Sequence, residues 1–407
     1  MEHKTLSQEA LDALVTRRTQ SQFAADVAKR GPDLRAAVSG KRVLVVGGGG
    51  TIGSATTALL ADLQPGSLHV VDQSENYLAE LVRELRGRRH GLQIADFRTL
   101  PIDYGSAVMG RFLADATPYD FVLNFAALKH VRSEKDVYSL LQMLDTNIVK
   151  HVRFKRWLHE FGHARRYFAV STDKAANPTS LMGASKRLME DVAFDVASGD
   201  SSVTSARFAN VAFSNGSLLQ GFLARLEKLQ PLAVPRDTRR YFVSQRESGE
   251  ICLIAALLGE SGRVFFPLLD SRTELQTLQD VAERVLGLAG YRAEIFTDEA
   301  EARDAVSDLS KQGAWPLLLT PLDTSGEKPY EEFVGEDELA VSSGFSSLGA
   351  LQHTVASDRL AEIIGRLDRA INRVDDPIDK HTIVELIQSL IPTFAHRETG
   401  KSLDDRL

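Results

Sequence analysis

At 407 residues, with 43% hydrophobic and 25% charged side chains, the chain can bury a large core and fold as two lobes or as one domain with extensions. A formal net charge of −7 argues against nucleic acid or a membrane surface as partner, and no 18-residue apolar run marks a transmembrane helix. The single cysteine, Cys252, excludes an intramolecular disulfide and a cysteine-based metal cluster, and a charged N-terminus without an apolar stretch makes a cytoplasmic location the expectation.

Residues 1–40 place Leu11, Leu14, Phe23 and Val27 at helical spacing and read as an N-terminal helical extension. From residue 41 the pattern changes to short β-branched runs ending in turn residues: KRVLVVGG (41–48), SLHVVDQS (67–74), DFVLNFAA (120–127), RYFAVSTD (166–173) and VTSARFAN (203–210). Helix-like segments follow at 54–63, 76–87, 106–115, 137–159 and 179–197. Strands alternating with helices predict a doubly wound parallel α/β sheet, a Rossmann-type domain over 41–215. Beyond 215 the alternation weakens, and 216–345 reads mainly as a smaller substrate-binding lobe interleaved with that domain. Helical patterns at 246–259 and 276–288 lie within it, and 289–345 is mixed. Helical patterns at 356–372 and 382–391 make 346–407 a C-terminal helical extension.

The stretch VVGGGGTIGS follows the first strand and opens a helix, with Gly47, Gly50 and Gly53 spaced G-x-x-G-x-x-G. Such a turn needs glycines so that backbone amides approach a pyrophosphate, and the helix N-terminus, with Thr51 and Ile52, adds partial positive charge. Asp72 ends the next strand, 19 residues after Gly53, where a carboxylate accepts from ribose hydroxyls and repels a 2′-phosphate. These features predict NAD as cofactor in preference to NADP. Ser74 follows in the same turn. Asp103 stands where a carboxylate can meet the adenine amino group, and Ala126 and Ala127 leave the strand 120–127 beside the cofactor. The histidines show no metal-ligand spacing, so no metal is expected.

The segment STDKAANPTSLMGASK (171–186), with AAxKHV at 126–131, Thr146-Asn147, RFxNV at 207–211, RYF at 240–242 and GEKxYEE at 326–332, resembles the extended short-chain dehydrogenase/reductases. More narrowly it is similar to the nucleotide-sugar 4,6-dehydratases of polysaccharide biosynthesis that act on UDP-N-acetylglucosamine. Met182 stands where a tyrosine usually handles the proton, which is the pattern of one branch of those dehydratases. The resemblance implies C4 oxidation by hydride transfer, loss of water across C5–C6 and return of the hydride to C6. It implies catalytic roles for Thr172 at the 4-hydroxyl, for Asp173 as acid at C6 and for Lys174 as base at C5. That last role needs an amine pushed toward neutrality by desolvation and neighbouring cations, Lys186 among them. Lys186 would hold the nicotinamide ribose. Lys129, His130, Met182, Asn210, Arg240 and Lys328 would line the nucleotide-sugar site, with Arg240 facing the pyrophosphate and Asn147 bracing the active-site backbone through a helix distortion.

Departures stand beside the matches: Gln73, Asn215 and Thr324-Ser325 occupy positions where the family carries arginine or Arg-Pro. The expectation is a nucleotide-sugar 4,6-dehydratase. Its rivals are a C4 epimerase or oxidoreductase on the same scaffold and a non-catalytic nucleotide-sugar-binding scaffold. Helices beside the active-site helix commonly pair in this superfamily, so a homo-oligomer, dimer or higher, is expected.

Overall fold

The β-branched runs become strands because each is buried on both faces of one sheet. The computed structural model describes residues 7–129, 134–195, 201–323, 326, 328–354, 359–373 and 378–396. The N-terminal extension forms α1 (Gln8–Thr16), α2 (Ala24–Lys29) and α3 (Gly31–Val38). Strict alternation follows: β1 (Arg42–Val46), α4 (Thr51–Asp62), β2 (Ser67–Asp72), α5 (Glu75–Gly87), β3 (Asp96–Pro101), α6 (Ala107–Asp115) and β4 (Phe121–Asn124). Next come α7 (Val137–Leu144), α8 (Lys150–Glu160), β5 (Arg166–Val170), α9 (Leu181–Phe194) and β6 (Ser202–Ala206).

After β6 the chain crosses between two bodies. The short strands β7 (Asn210–Val211), β8 (Leu232–Pro235), β9 (Arg239–Arg240) and β10 (Phe242–Val243) flank α10 (Leu218–Glu227). Then α11 (Gln245–Leu258) and β11 (Arg263–Pro267) return to the large sheet. A second excursion holds β12 (Gln276–Thr277), α12 (Leu278–Leu288), β13 (Arg292–Phe296), α13 (Glu299–Lys311) and β14 (Ala314–Thr320). The chain ends with β15 (Leu339–Val341), β16 (Leu348–Gln352), α14 (Leu360–Asn372) and α15 (Lys380–Leu390).

The large sheet runs β15-β16-β11-β6-β5-β4-β1-β2-β3, parallel from β11 to β3 and antiparallel where β16 and β15 add an edge. Strand order reverses between β1 and β4, which opens a crevice at their carboxyl ends. The smaller lobe is built on a parallel sheet β13-β14-β8, around Phe222, Val281 and Trp315. That βαβ unit lies in the tract read from sequence as mixed, because its strand RAEIF is half-exposed and lacks a continuous apolar run. Likewise β16, LGALQ, is a sheet strand inside the segment 346–407 expected to be helical; the helices there start at Leu360. Among the described residues no helix is long and apolar enough to cross a membrane.

The helical run 137–159 is broken by a π-turn at Asp145–Val149. Asn147 explains it. Its Oδ1 accepts from Leu128 N at 2.8 Å, and its Nδ2 donates to Leu128 O and Ser185 Oγ, both at 2.9 Å. The widened turn presses this amide between the post-β4 loop and α9. The outer face of α7 and α9 is packed against the chain's own α14 and α15.

Candidate active site

The glycine turn leaves β1 at the crevice. Gly47 has φ +71°, and a Cβ there would sit 2.6 Å from Ala126 N; a Cβ on Gly53 would sit 2.2 Å from Gly47 O. Only glycine lets the turn, the post-β4 loop and α4 approach this closely. Gly50 is the residue before α4, and no side chain caps the helix, so its first amides are left for a ligand. The Asp72 carboxylate borders the turn, accepting from Gly49 N at 3.0 Å and Ser74 N at 2.9 Å. Ser74 caps α5 through Tyr77 N, and Thr51 Oγ1 accepts from Asn215 N at 3.1 Å. Ile52 packs on the large core, and Ala126 and Ala127 line the loop opposite the glycines. Asp103 is engaged elsewhere: its carboxylate pairs with Lys150 and caps Gly105 N. Gly47, Gly50, Thr51, Gly53, Asp72 and Ala126 thus form a cradle that fits a dinucleotide.

The catalytic segment leaves β5 next to that crevice. Thr172 adopts extended geometry and caps a short 3-10 turn, Asp173–Ala175. Asp173 is buried, and its Oδ1 accepts from Thr172 Oγ1 at 2.8 Å and from Lys174 Nζ at 3.0 Å. Asn177, at φ +45°, turns the chain into α9. Gly183 is required there, since a Cβ would lie 2.5 Å from Lys174 O. The glycine of GEK, Gly326, brings its own loop against Ser180, where a Cβ would meet the serine Cβ at 2.5 Å.

That second loop delivers what the sequence reading missed. Glu331 is buried, with Oε1 3.7 Å from Lys174 Nζ and 4.0 Å from Arg240 Nη2, and Oε2 3.9 Å from Lys328 Nζ. Two carboxylates, Asp173 and Glu331, and three cations, Lys174, Arg240 and Lys328, therefore share one pocket. Burial raises the Glu331 carboxyl above its ordinary range; Lys174, Arg240 and Lys328 oppose that rise and Asp173 adds to it. The available signal was the GEKxYEE match itself, of which only Lys328 had been given a role. Glu331 also borders a cleft of about 570 Å3 whose wall includes Tyr241, Phe266, Asp270, Tyr330 and Phe333.

Lys174 corrects the expectation of a depressed lysine. Burial lowers its proton affinity, but the Asp173 and Glu331 carboxylates outweigh burial and the opposing Arg240, so its pKa stands above the usual lysine range. Lys186, by contrast, is pushed down to about 8 by burial, with Glu190 opposing. Its Nζ donates to Val170 O at 2.8 Å and to Met189 Sδ at 3.0 Å, directly beneath the strand end that carries Thr172. Met182 is also placed differently from expectation. Its side chain is buried in the apolar cluster shared by α7, α9, α14 and α15, because a thioether gains more there than against a polar sugar.

Asn210 is tied by its backbone and side chain to Tyr241 O, next to Arg240 in sequence. Arg240 and Lys328 also donate to backbone carbonyls, Arg240 to Pro329 O and Lys328 to Asn177 O. Both cations thus sit with Lys174 and Glu331, where Arg240 had been expected to face a pyrophosphate. Lys129 is exposed in the post-β4 loop. His130 lies outside the described residues. Behind the site, Arg207 is fully buried between Glu190 and Glu338, and Ser171 Oγ donates to Glu190 at 2.5 Å. This network fixes the strand end to α9 and to the loop after Glu331.

Residues 43–351 match the family described as polysaccharide biosynthesis protein. The capsular polysaccharide biosynthesis protein CapD of Staphylococcus aureus is 26% identical over 326 residues. The alignment takes in 79% of this chain and 50% of CapD, so the chain spans about half the length of that relative. The inverting UDP-N-acetylglucosamine 4,6-dehydratase of Campylobacter jejuni is 28% identical over 242 residues, 57% of this chain and 68% of the relative. The solved UDP-Glc/GlcNAc 4-epimerase of C. jejuni shares the fold, with a TM-score of 0.53 at 16% identity over 73% of this chain and 91% of that one. A match that begins in β1, ends in β16 and takes in both the glycine cradle and the catalytic segment makes the chain a member of the polysaccharide biosynthesis protein family.

Proposed function

We propose that the chain is an NAD-dependent nucleotide-sugar 4,6-dehydratase acting on UDP-N-acetylglucosamine or a related nucleotide hexose. The observation that carries this reading is the direct contact of Asp173 with Lys174, at 3.0 Å, on a turn that leaves the cofactor crevice. An elimination across C5–C6 needs an acid and a base aimed at those carbons, whereas exchange of configuration at C4 needs a proton acceptor only at the 4-hydroxyl. The bound cofactor would accept a hydride from C4 and return it to C6, and its oxidised ring would add positive charge beside Lys174.

The ion pair supplies both groups through one proton. Passing it from the Lys174 ammonium to Asp173 leaves a neutral amine and a carboxylic acid in contact. Lys174 then takes the C5 proton while Asp173 protonates the departing C6 hydroxyl, which leaves as water. The Lys174 ammonium returns its proton to C5, and the proton released from the 4-hydroxyl, carried by water past Thr172, refills the pair. Glu331 stabilises the ammonium form, and Arg240 opposes it and favours the neutral amine.

Support for the substrate class comes from the C. jejuni dehydratase relative. The test is incubation of the purified chain and NAD+ with UDP-, GDP- and dTDP-hexoses in D2O. Mass spectrometry should show loss of water with one deuterium entering at C5. Recovery of the C4 epimer, or of unchanged sugar across the panel, overturns the reading.

A further inference from the structure

The residues after 351 lie outside the family match, yet they enclose the helix that carries Lys186. Every residue of α9 except Arg187 is buried. One side of this helix rests on β5 and β6; the other is covered by α14 and α15, with Ile363, Leu367 and Ile387 packed in one cluster with Met143, Met182 and Leu188. Two polar contacts aim this cover at the catalytic turn. Lys380 Nζ, at the start of α15, donates to Glu134 O at 3.0 Å, and Glu134 Oε1 accepts from Met182 N at 2.9 Å. Beyond α15, Ala395 N donates to Pro178 O at 3.3 Å, inside the Asn177-Pro178 turn that leads into α9.

The first turn of α9 is therefore held from both sides. Ser180 caps Gly183 N at 3.0 Å from within the catalytic segment, and Glu134, itself held by Lys380, takes the Met182 amide. Negative charge at a helix N-terminus is favourable, so the Glu134 contact is an anchor and not an accident of packing. Because Gly183 lies against Lys174 O with no room for a Cβ, any shift of this first turn moves the Asp173–Lys174 pair.

We propose that the C-terminal helix pair is a built-in clamp on the catalytic turn, with Lys380 a positioning residue that acts through Glu134 on the start of α9. This inference rests on the assignment of Asp173 and Lys174 as the reacting pair. The test uses the full chain and three forms: wild type, Lys380→Met, which keeps the apolar stem, and Lys380→Arg, which restores a cation. Hydrogen–deuterium exchange of peptides covering 173–186 reads the clamp without any turnover. Steady-state kinetics with the nucleotide sugar that the wild type dehydrates reads its consequence. Lys380→Met should exchange faster over 173–186 while 41–72 stays as protected as in the wild type. Its kcat should fall about tenfold with KM within about twofold, since misplacement of reacting groups costs rate. Lys380→Arg should recover both readouts to within about twofold of wild type. Exchange over 173–186 unchanged in Lys380→Met overturns the clamp, as does faster exchange with undiminished kcat. If no sugar is dehydrated by the wild type, exchange alone decides: faster exchange over 173–186 upholds the clamp while the dehydratase reading fails.

Discussion

At the scale of single residues, the charge state of Lys174 is set by partners from two different loops. Lys174 was expected to be a depressed amine, and its motif contains only the partner Asp173. Glu331 arrives from a distant loop and, with Asp173, reverses the direction. A lysine whose folded pKa lies above its unfolded value of 10.5 contributes stability that is fully present below 10.5 and lost as pH rises through the folded pKa. The stability difference between wild type and Lys174→Met should therefore be flat from about neutral pH to about pH 10 and shrink above it, as read by urea unfolding at successive pH values. The same variant and Asp173→Asn should each lower kcat by about 10²–10⁴-fold, the range for losing a general acid or base, with NAD+ affinity unchanged in a fluorescence titration. Wild-type turnover by either variant would remove the pair from the chemistry.

At the scale of elements, short contiguous patterns were legible and their distortions were not. The strand runs around β1, β2, β4, β5 and β6 and the glycine turn were readable because burial on both faces favours short, mostly apolar runs, and a close turn demands glycine. The π-turn at Asp145–Val149 follows instead from Asn147 reaching Leu128 and Ser185, partners on other elements. The half-exposed β13 has no periodicity to betray it. Close approach of α9 to the catalytic turn makes a sharp prediction. Gly183→Ala places a methyl 2.5 Å from Lys174 O, so it should displace the turn at a cost of about 1–3 kcal/mol. Calorimetry should show a lower Tm and kinetics a larger loss in kcat than in KM; a variant equal to wild type in both would show that the turn can yield freely.

At the scale of the whole molecule, the two extensions bind the parts together. The N-terminal segment inserts Leu11 and Val15 into the core of the smaller lobe and Phe23, Leu34 and Val38 into the core of the large sheet. Between them Arg18 donates to Glu247, Glu274 and Phe242 O, so one guanidinium joins α11, the approach to β12 and the strand next to Arg240. Arg18→Ala removes charged hydrogen bonds worth about 1.5–3 kcal/mol and leaves Glu247 buried beside fewer donors. Its denaturation midpoint should drop accordingly; an unchanged midpoint would mean the extension is not a structural tie. The C-terminal helix pair does the same for α7 and α9.

The sequence by itself determined the alternating sheet, the glycine turn after β1 with Asp72 at its rim, and the segment 171–186 with its methionine in place of tyrosine. Each is encoded in residues close together along the chain, so backbone sterics and local periodicity suffice to read it. Tertiary structure alone decided that Glu331, Arg240 and Lys328 surround Lys174, that Met182 turns into an apolar cluster, and that α9 is roofed by the chain's own C-terminal helices. The reason is physical. Proton affinity and burial depend on which charges and surfaces long-range contacts bring within a few ångströms, and no spacing along the chain records that.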